Sequence, residues 1–272
     1  MLAGMKEASI PDDRRTPALA AAVAELYAAF AGREWSSGGP FACTCPCCTS
    51  REVLDAMRHL PAAAVTLADL REYNGAAKWD PAGGDAVGED MAFLLPRTLE
   101  VVAQGRLPNY FGLFLLFANH FPPMWRKLSG REREAVRWYC RALMRWRLSL
   151  GADEECEYGP MDVLEMAIEG GFDAEPLLEV LEDLPAGRAA EDWLVDLILD
   201  RDGWWREGEG PHPGGESAPD HVKRRLQALV RSSAAIKRLE RIALSDSDPV
   251  RASRASLAHQ FAEYARDPTP FV

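Results

Sequence analysis

The chain has 272 residues, 47% hydrophobic and 27% charged, with 42 acidic against 31 basic side chains and a net charge of −11. That apolar content is ample for one large domain or two ordinary ones. The acidic balance argues against non-specific nucleic-acid binding and against an anionic membrane surface, because both need Lys and Arg to meet phosphates; it leaves a basic protein partner open.

Residues 1–13 carry neither a long apolar core nor a basic leader, which predicts no signal peptide and a cytoplasmic chain. Apolar spacing is helical nearly throughout. Thr16-Pro17 opens a helix with the stripe Leu19, Val23, Leu26, Tyr27 and Phe30, stopped at Gly32. After a cysteine-rich loop at 40–50, Thr49-Ser-Arg-Glu52 reads as a capping box leading to Val53, Leu54 and Met57, and Pro61 ends that helix. Thr66-Leu-Ala-Asp69 caps the next, with Leu67, Leu70, Tyr73 and Ala77 inward. Residues 80–88 read as an acidic, Gly-rich loop. The carboxylates of the run 80–90, Asp80, Asp85, Glu89 and Asp90, lack the alternation of an EF-hand, whose third position here is Ala82, and read as a solvated loop.

Met91–Gln104 follows as a helix, with Pro96 marking a first turn or a kink. Pro108–His120 is apolar nearly all round and belongs at the centre of the core; a membrane span needs roughly twenty residues. Ser129-Gly-Arg-Glu132 caps the longest helix, 130–150, with Val136, Cys140, Leu143 and Leu148 inward. Arginines interleave there with Trp138 and Trp146, a pattern that pairs with the abundant carboxylates more simply than it stacks bases. Short helices at 160–170, 174–184 and 188–200 precede a Gly/Pro-rich loop, Gly203–Pro219. Helices near 219–231, 234–244 and 249–265 complete the chain, the last carrying Val250, Leu257, Phe261 and Tyr264.

The predicted fold class is all-α, an irregular helical bundle or a short HEAT-like α-solenoid of roughly ten helices without a fixed repeat period. Residues 1–272 form one helical domain in this reading, with a sub-boundary in the loop 203–219.

The chemistry concentrates in Cys43, Cys45, Cys47 and Cys48. Cys45-Pro-Cys-Cys48 has the two-residue gap that lets two thiolates reach one tetrahedral zinc from a turn. One-residue gaps strain shared coordination, so at most three of the four would bind one ion. His59 and His120 are the fourth-ligand candidates. Thiol–disulfide exchange through Cys45 and Cys48, ahead of a helix N-terminus, is a second reading, and an inert loop a third. The P-loop, dinucleotide, Gly-x-Ser-x-Gly and His-Glu-x-x-His signatures are absent, which removes positive reasons to propose an enzyme.

The run Cys45-Pro-Cys-Cys-Thr-Ser50, then Leu67-Ala-Asp-Leu-Arg-Glu-Tyr73 and Phe93-Leu-Leu-Pro-Arg-Thr-Leu-Glu100, resembles a group of uncharacterised bacterial proteins. In these a Cys-Cys element precedes an acidic-Leu-x-x-Tyr helix and a Phe-Leu-Pro-Arg-x-x-Glu segment. The resemblance spans residues 40–105, with one additional Leu before Pro96. It implies a bacterial, helical protein and brings no activity with it. The expectation is a non-enzymatic scaffold or binding protein whose loop is held by zinc at Cys43, Cys45, Cys47, Cys48 and His59, and whose partner is another protein. Arg97 and Glu100, on one helix face, are the partner-binding candidates. An acidic, immunity-type protein that neutralises a basic partner is the alternative.

Overall fold

A computed structural model describes residues 15–45, 48–76, 84–109, 112–113, 122–125, 127–151, 156–199, 205–206, 210–211 and 218–266. Cys47, Ala77, Asp80, Ala82, His120 and most of the apolar segment 108–120 lie outside them. The fold is all-α. Apart from one two-residue antiparallel pair, Trp205–Arg206 (β1) with Gly210–Pro211 (β2), regular structure among the described residues is helical. The chain divides into two compact units, Met1–Trp146 with Asp153–Phe172, and Arg147–Ala152 with Asp173–Val272.

Unit 1 is organised on its longest helix. Its elements are α1 (Pro17–Ala29), α2 (Arg51–Met57), a 3-10 turn (Ala62–Ala64), α3 (Leu67–Ala76), α4 (Gly84–Ala103), α5 (Pro122–Trp125), α6 (Gly130–Arg147) and α7 (Pro160–Glu169). Thr16 caps α1, its Oγ1 accepting the Leu19 N–H at 3.3 Å, and Pro17 occupies the first turn, where its missing N–H costs nothing. The predicted boxes at α3 and α6 both form. The Asp69 N–H donates to Thr66 Oγ1 at 3.1 Å and the Thr66 N–H to Asp69 Oδ2 at 3.0 Å; Ser129 and Glu132 do the same for α6. α4 packs on α1, α5 and the 3-10 turn, and its Leu94, Leu95 and Leu99 are fully buried, as are Leu19 and Leu26 of α1. Each such leucine contributes about 2 kcal/mol of burial. Tyr139 of α6 reaches α4, its hydroxyl donating to the Leu99 carbonyl at 2.7 Å.

Several boundaries differ from the sequence reading. The loop expected at 80–88 is helical from Gly84, where Val87 extends the buried stripe of α4. Pro96 therefore sits inside α4 rather than in its first turn. α2 is capped by Ser50, whose Oγ accepts the Val53 N–H at 3.3 Å; Thr49, the expected cap, is buried instead. α6 ends at Arg147, three residues early.

Unit 2 comprises α8 (Glu175–Glu182), α9 (Arg188–Leu199), the β1–β2 pair, α10 (Asp220–Val230), α11 (Ser233–Ser245) and α12 (Pro249–Arg266). α11 and α12 form its most extensive helix pair, with α9 against both. α12 packs through Ala255, Ala258 and Ala262, all fully buried, while Val250 and Tyr264 are 68% and 49% exposed. Small side chains let the helix axes approach closely, so the larger apolar residues take the outer face.

Candidate metal centre

The loop between α1 and α2 is fastened from both sides before it reaches the cysteines. Arg33 grips Glu132 with both arms of its guanidinium, Nε to Oε1 at 2.6 Å and Nη2 to Oε2 at 2.9 Å, and a further Nη2 contact reaches the Lys127 carbonyl at 3.2 Å. These bonds hold the Glu132 carboxyl below the usual carboxylate range, although its burial pushes the other way. Three residues on, Asp90 of α4 takes over. Fully buried, it accepts the Ser36 N–H at 2.9 Å, the Ser36 hydroxyl at 2.7 Å, the Phe41 N–H at 2.7 Å and the Tyr73 hydroxyl at 3.4 Å. Burial raises the Asp90 pKa above its ordinary value, and the hydrogen bonds from Ser36, Phe41 and Tyr73 oppose that rise. Gly39 lies where a Cβ would stand 2.5 Å from Asp90 Oδ1, so only glycine fits that close approach.

Beyond Phe41 the loop is tied to α3 by the Cys43 N–H, which donates to the Ala76 carbonyl at 2.9 Å. A turn then brings the Cys48 N–H to the Cys45 carbonyl at 2.9 Å. This folding gathers Cys43, Cys45 and Cys48, whose sulfurs all lie within 4.8 Å of one another. Cys43 Sγ and Cys45 Sγ are 3.2 Å apart, as are Cys45 Sγ and Cys48 Sγ, and all three side chains are half-buried. The three thiols are close enough to hold one metal ion. Zinc with Zn–S bonds of about 2.3 Å sets tetrahedral sulfurs about 3.8 Å apart, so the two close pairs would open by roughly half an ångström. A disulfide, at about 2.05 Å, needs a larger movement.

His59 is not in this group. It is exposed just beyond the end of α2 and lines a groove of about 560 Å³ between residues 34–39 and 58–61, with Phe93 of α4 in the wall. Arg97 and Glu100 face α1 and the 3-10 turn. Arg97 Nε donates to the Val65 carbonyl at 2.7 Å and Nη1 to Glu100 Oε2 at 2.6 Å, and the Tyr27 hydroxyl donates to the same oxygen at 2.7 Å. Cys140 is buried in α6 and Cys156 half-buried, both apart from the cluster.

Asp90 is the residue that sequence reasoning passed over, as one carboxylate of a solvated loop. The signal existed: Val87, Asp90, Leu94 and Val101 share one helical face, so a carboxylate interrupts an apolar stripe. It becomes visible only when the helix is begun at Gly84. Among the described residues no helix is long and apolar enough to cross a membrane. A scan against protein-family models, a search of curated proteins and a search of solved structures each found no match to this chain.

Proposed function

We propose that the protein is a non-catalytic helical binding protein whose N-terminal loop is stabilised by zinc held through Cys43, Cys45 and Cys48. The observation that carries this reading is the convergence of three sulfurs on one point from a segment of six residues. Thiolates select soft and borderline ions, and zinc adds no redox chemistry of its own. Arg33–Glu132 and the Asp90 hydrogen bonds order the chain up to Phe41, and Ser50 restarts regular structure at α2. In the stretch between them a metal would add a cross-link to the backbone bonds at Cys43 and Cys48. A protein partner, basic in character, is the occupant that the net charge favours.

The test is the metal content of protein purified without chelator, beside the double variant Cys45→Ser, Cys48→Ser. The expected result is about one zinc per chain, absent from the variant, with a lower Tm in the variant. Metal-free wild type with freely titratable thiols overturns the reading.

The 3.2 Å approach of Cys45 Sγ to Cys48 Sγ supports one alternative, dithiol–disulfide exchange with a partner disulfide. In that reaction the Cys45–Cys48 dithiol loses two electrons and two protons as its S–S bond forms, and the partner disulfide is reduced to two thiols. Stoichiometric reduction of an added disulfide by the metal-free dithiol protein, one equivalent per chain and abolished in the same double variant, would favour it.

A further inference from the structure

Neither reading of the thiols uses the groove in unit 1, and its construction points to a ligand. One wall, residues 34–39, is an irregular segment tied to α4. Asp90 fixes it at Ser36 and again at Phe41, and Gly39 is packed so closely that a Cβ would stand 2.6 Å from Ser36 Oγ. A carboxylate buried in this way is costly to the fold, and its bonds go to the wall of an open groove. Trp35 leans on Phe93 with ring centroids 4.6 Å apart, giving the groove an aromatic surface.

The two segments that line the groove differ in character, an acid on one and a guanidinium and an imidazole on the other. Glu34, exposed and in no ion pair among the described residues, belongs to the 34–39 wall beside Trp35. Arg58 and His59, also exposed, come from the end of α2. Arg58 gives one Nη2 hydrogen bond to the Gly38 carbonyl at 3.2 Å and stands 3.8 Å from Asp55, which leaves donors of its fork for a ligand. An ammonium group is attracted both by a carboxylate and by aromatic faces, and a carboxylate by a guanidinium fork.

We propose that this groove binds short peptides with free termini, about two or three residues long, the amino end at Glu34 and the Trp35–Phe93 rings and the carboxyl end at Arg58 and His59. Length follows from chemistry and space. In a free amino acid one carbon separates the two charges, whereas each added residue extends the chain by about 3.3–3.6 Å. A volume of about 560 Å³ exceeds the needs of one amino acid and falls in the ordinary range of ligand sites.

Calorimetric titration with the tripeptide Ala-Ala-Ala tests this, in three forms: free termini, N-acetylated and C-amidated. The free peptide is expected to bind, and each cap to weaken binding about tenfold, since each deletes one charge-assisted contact. Glu34→Gln should lose about the same factor for the free peptide and become indifferent to acetylation; Arg58→Ala should become indifferent to amidation. Both residues are exposed, so an unchanged Tm is expected and keeps folding out of the comparison. Equal binding of all three forms, or a Kd above about 10 mM for the free peptide with the wild-type protein, overturns the proposal.

Discussion

The two units solve the same problem, polar groups at the edge of an apolar core, by different chemistry. In unit 1 the central polar residue is Asp90, and its partners are backbone N–H groups and hydroxyls. Several ion pairs there also end on backbone: Arg33 reaches the Lys127 carbonyl, Arg97 the Val65 carbonyl, and Glu157 accepts the Leu107 N–H. In unit 2 the polar contacts run mostly from arginine to carboxylate between helices. Arg251 meets Glu191, Asp192 and Asp246, and Arg225 meets Glu175 and Glu182. Arg238, which donates to the carbonyls of Leu184 and Pro185, is an exception. Among the described residues the difference follows where irregular chain meets the core. A helix satisfies its own backbone and offers only side chains to its neighbours, whereas the long loop of unit 1 brings unpaired N–H groups that need acceptors.

The sharpest way to break this contrast is at Asp90. Asp90→Ala should destabilise unit 1 by about 3 kcal/mol, since it leaves buried N–H and hydroxyl donors without an acceptor. Asp90→Asn, which keeps one oxygen, should cost about half as much. Denaturant unfolding gives the size, and hydrogen exchange should place the loss at residues 34–41 while α11 and α12 stay protected. Equal loosening of both units would show that the carboxylate is not a local anchor.

A smaller effect is expected from Arg251→Ala in unit 2. The Arg251 side chain is 11% exposed, and its removal leaves Glu191, Asp192 and Asp246 facing one another. A loss of about 2 kcal/mol is expected, below the figure for a fully buried pair because solvent reaches the carboxylates. Arg251→Lys keeps the charge but not the fork and should lose about half of that. Added salt should weaken wild-type unit 2 more than Arg251→Ala, which keeps only the other pairs such as those of Arg225; a salt response unchanged by the substitution would refute the assigned role.

The contrast explains what could be read from the sequence. Helices were legible wherever caps and apolar spacing agreed, as at Thr16-Pro17, Thr66–Asp69 and Ser129–Glu132, because these signals are local and periodic. The cysteine cluster was legible for the same reason, since the positions of Cys43, Cys45 and Cys48 bring the thiols together over one turn. The Asp90 anchor was not, because its partners Ser36 and Phe41 lie 54 and 49 residues away and nothing local marks them. Arg97 and Glu100 announced their i, i+3 pairing, yet the contacts to Tyr27 and Val65 depend on which helices meet. In α12 the sequence offered Val250, Leu257, Phe261 and Tyr264 as the apolar residues but could not tell that the alanine stripe would be packed while Val250, Leu257 and Tyr264 stay exposed.

The smallest effect expected is in pH, and here the two units should respond with opposite sign. Burial holds the Asp90 pKa above its ordinary 3.8, so the folded state binds that proton more tightly than the unfolded chain. Its ionisation therefore costs stability as pH rises through the raised value, and acidification relieves the cost. Glu191 behaves conversely: burial pushes its carboxyl up, but hydrogen bonds from Arg251 and Arg241 outweigh that and hold it below 4.5. Its contribution is present above about 4.5 and is lost as pH falls through the lowered value. Hydrogen exchange at pH 7, 5 and 3, corrected for intrinsic rates, separates the two. From pH 7 to 5 protection at residues 34–41 should hold or rise while α9 and α12 are unchanged; at pH 3 α9 and α12 should loosen first. Asp90→Asn, which has no proton to bind, should remove the response in unit 1 and leave that of unit 2 intact. Parallel loss of protection in both units as pH falls would mean that the buried carboxylate and the arginine-held one respond to protons alike, against the difference in their partners.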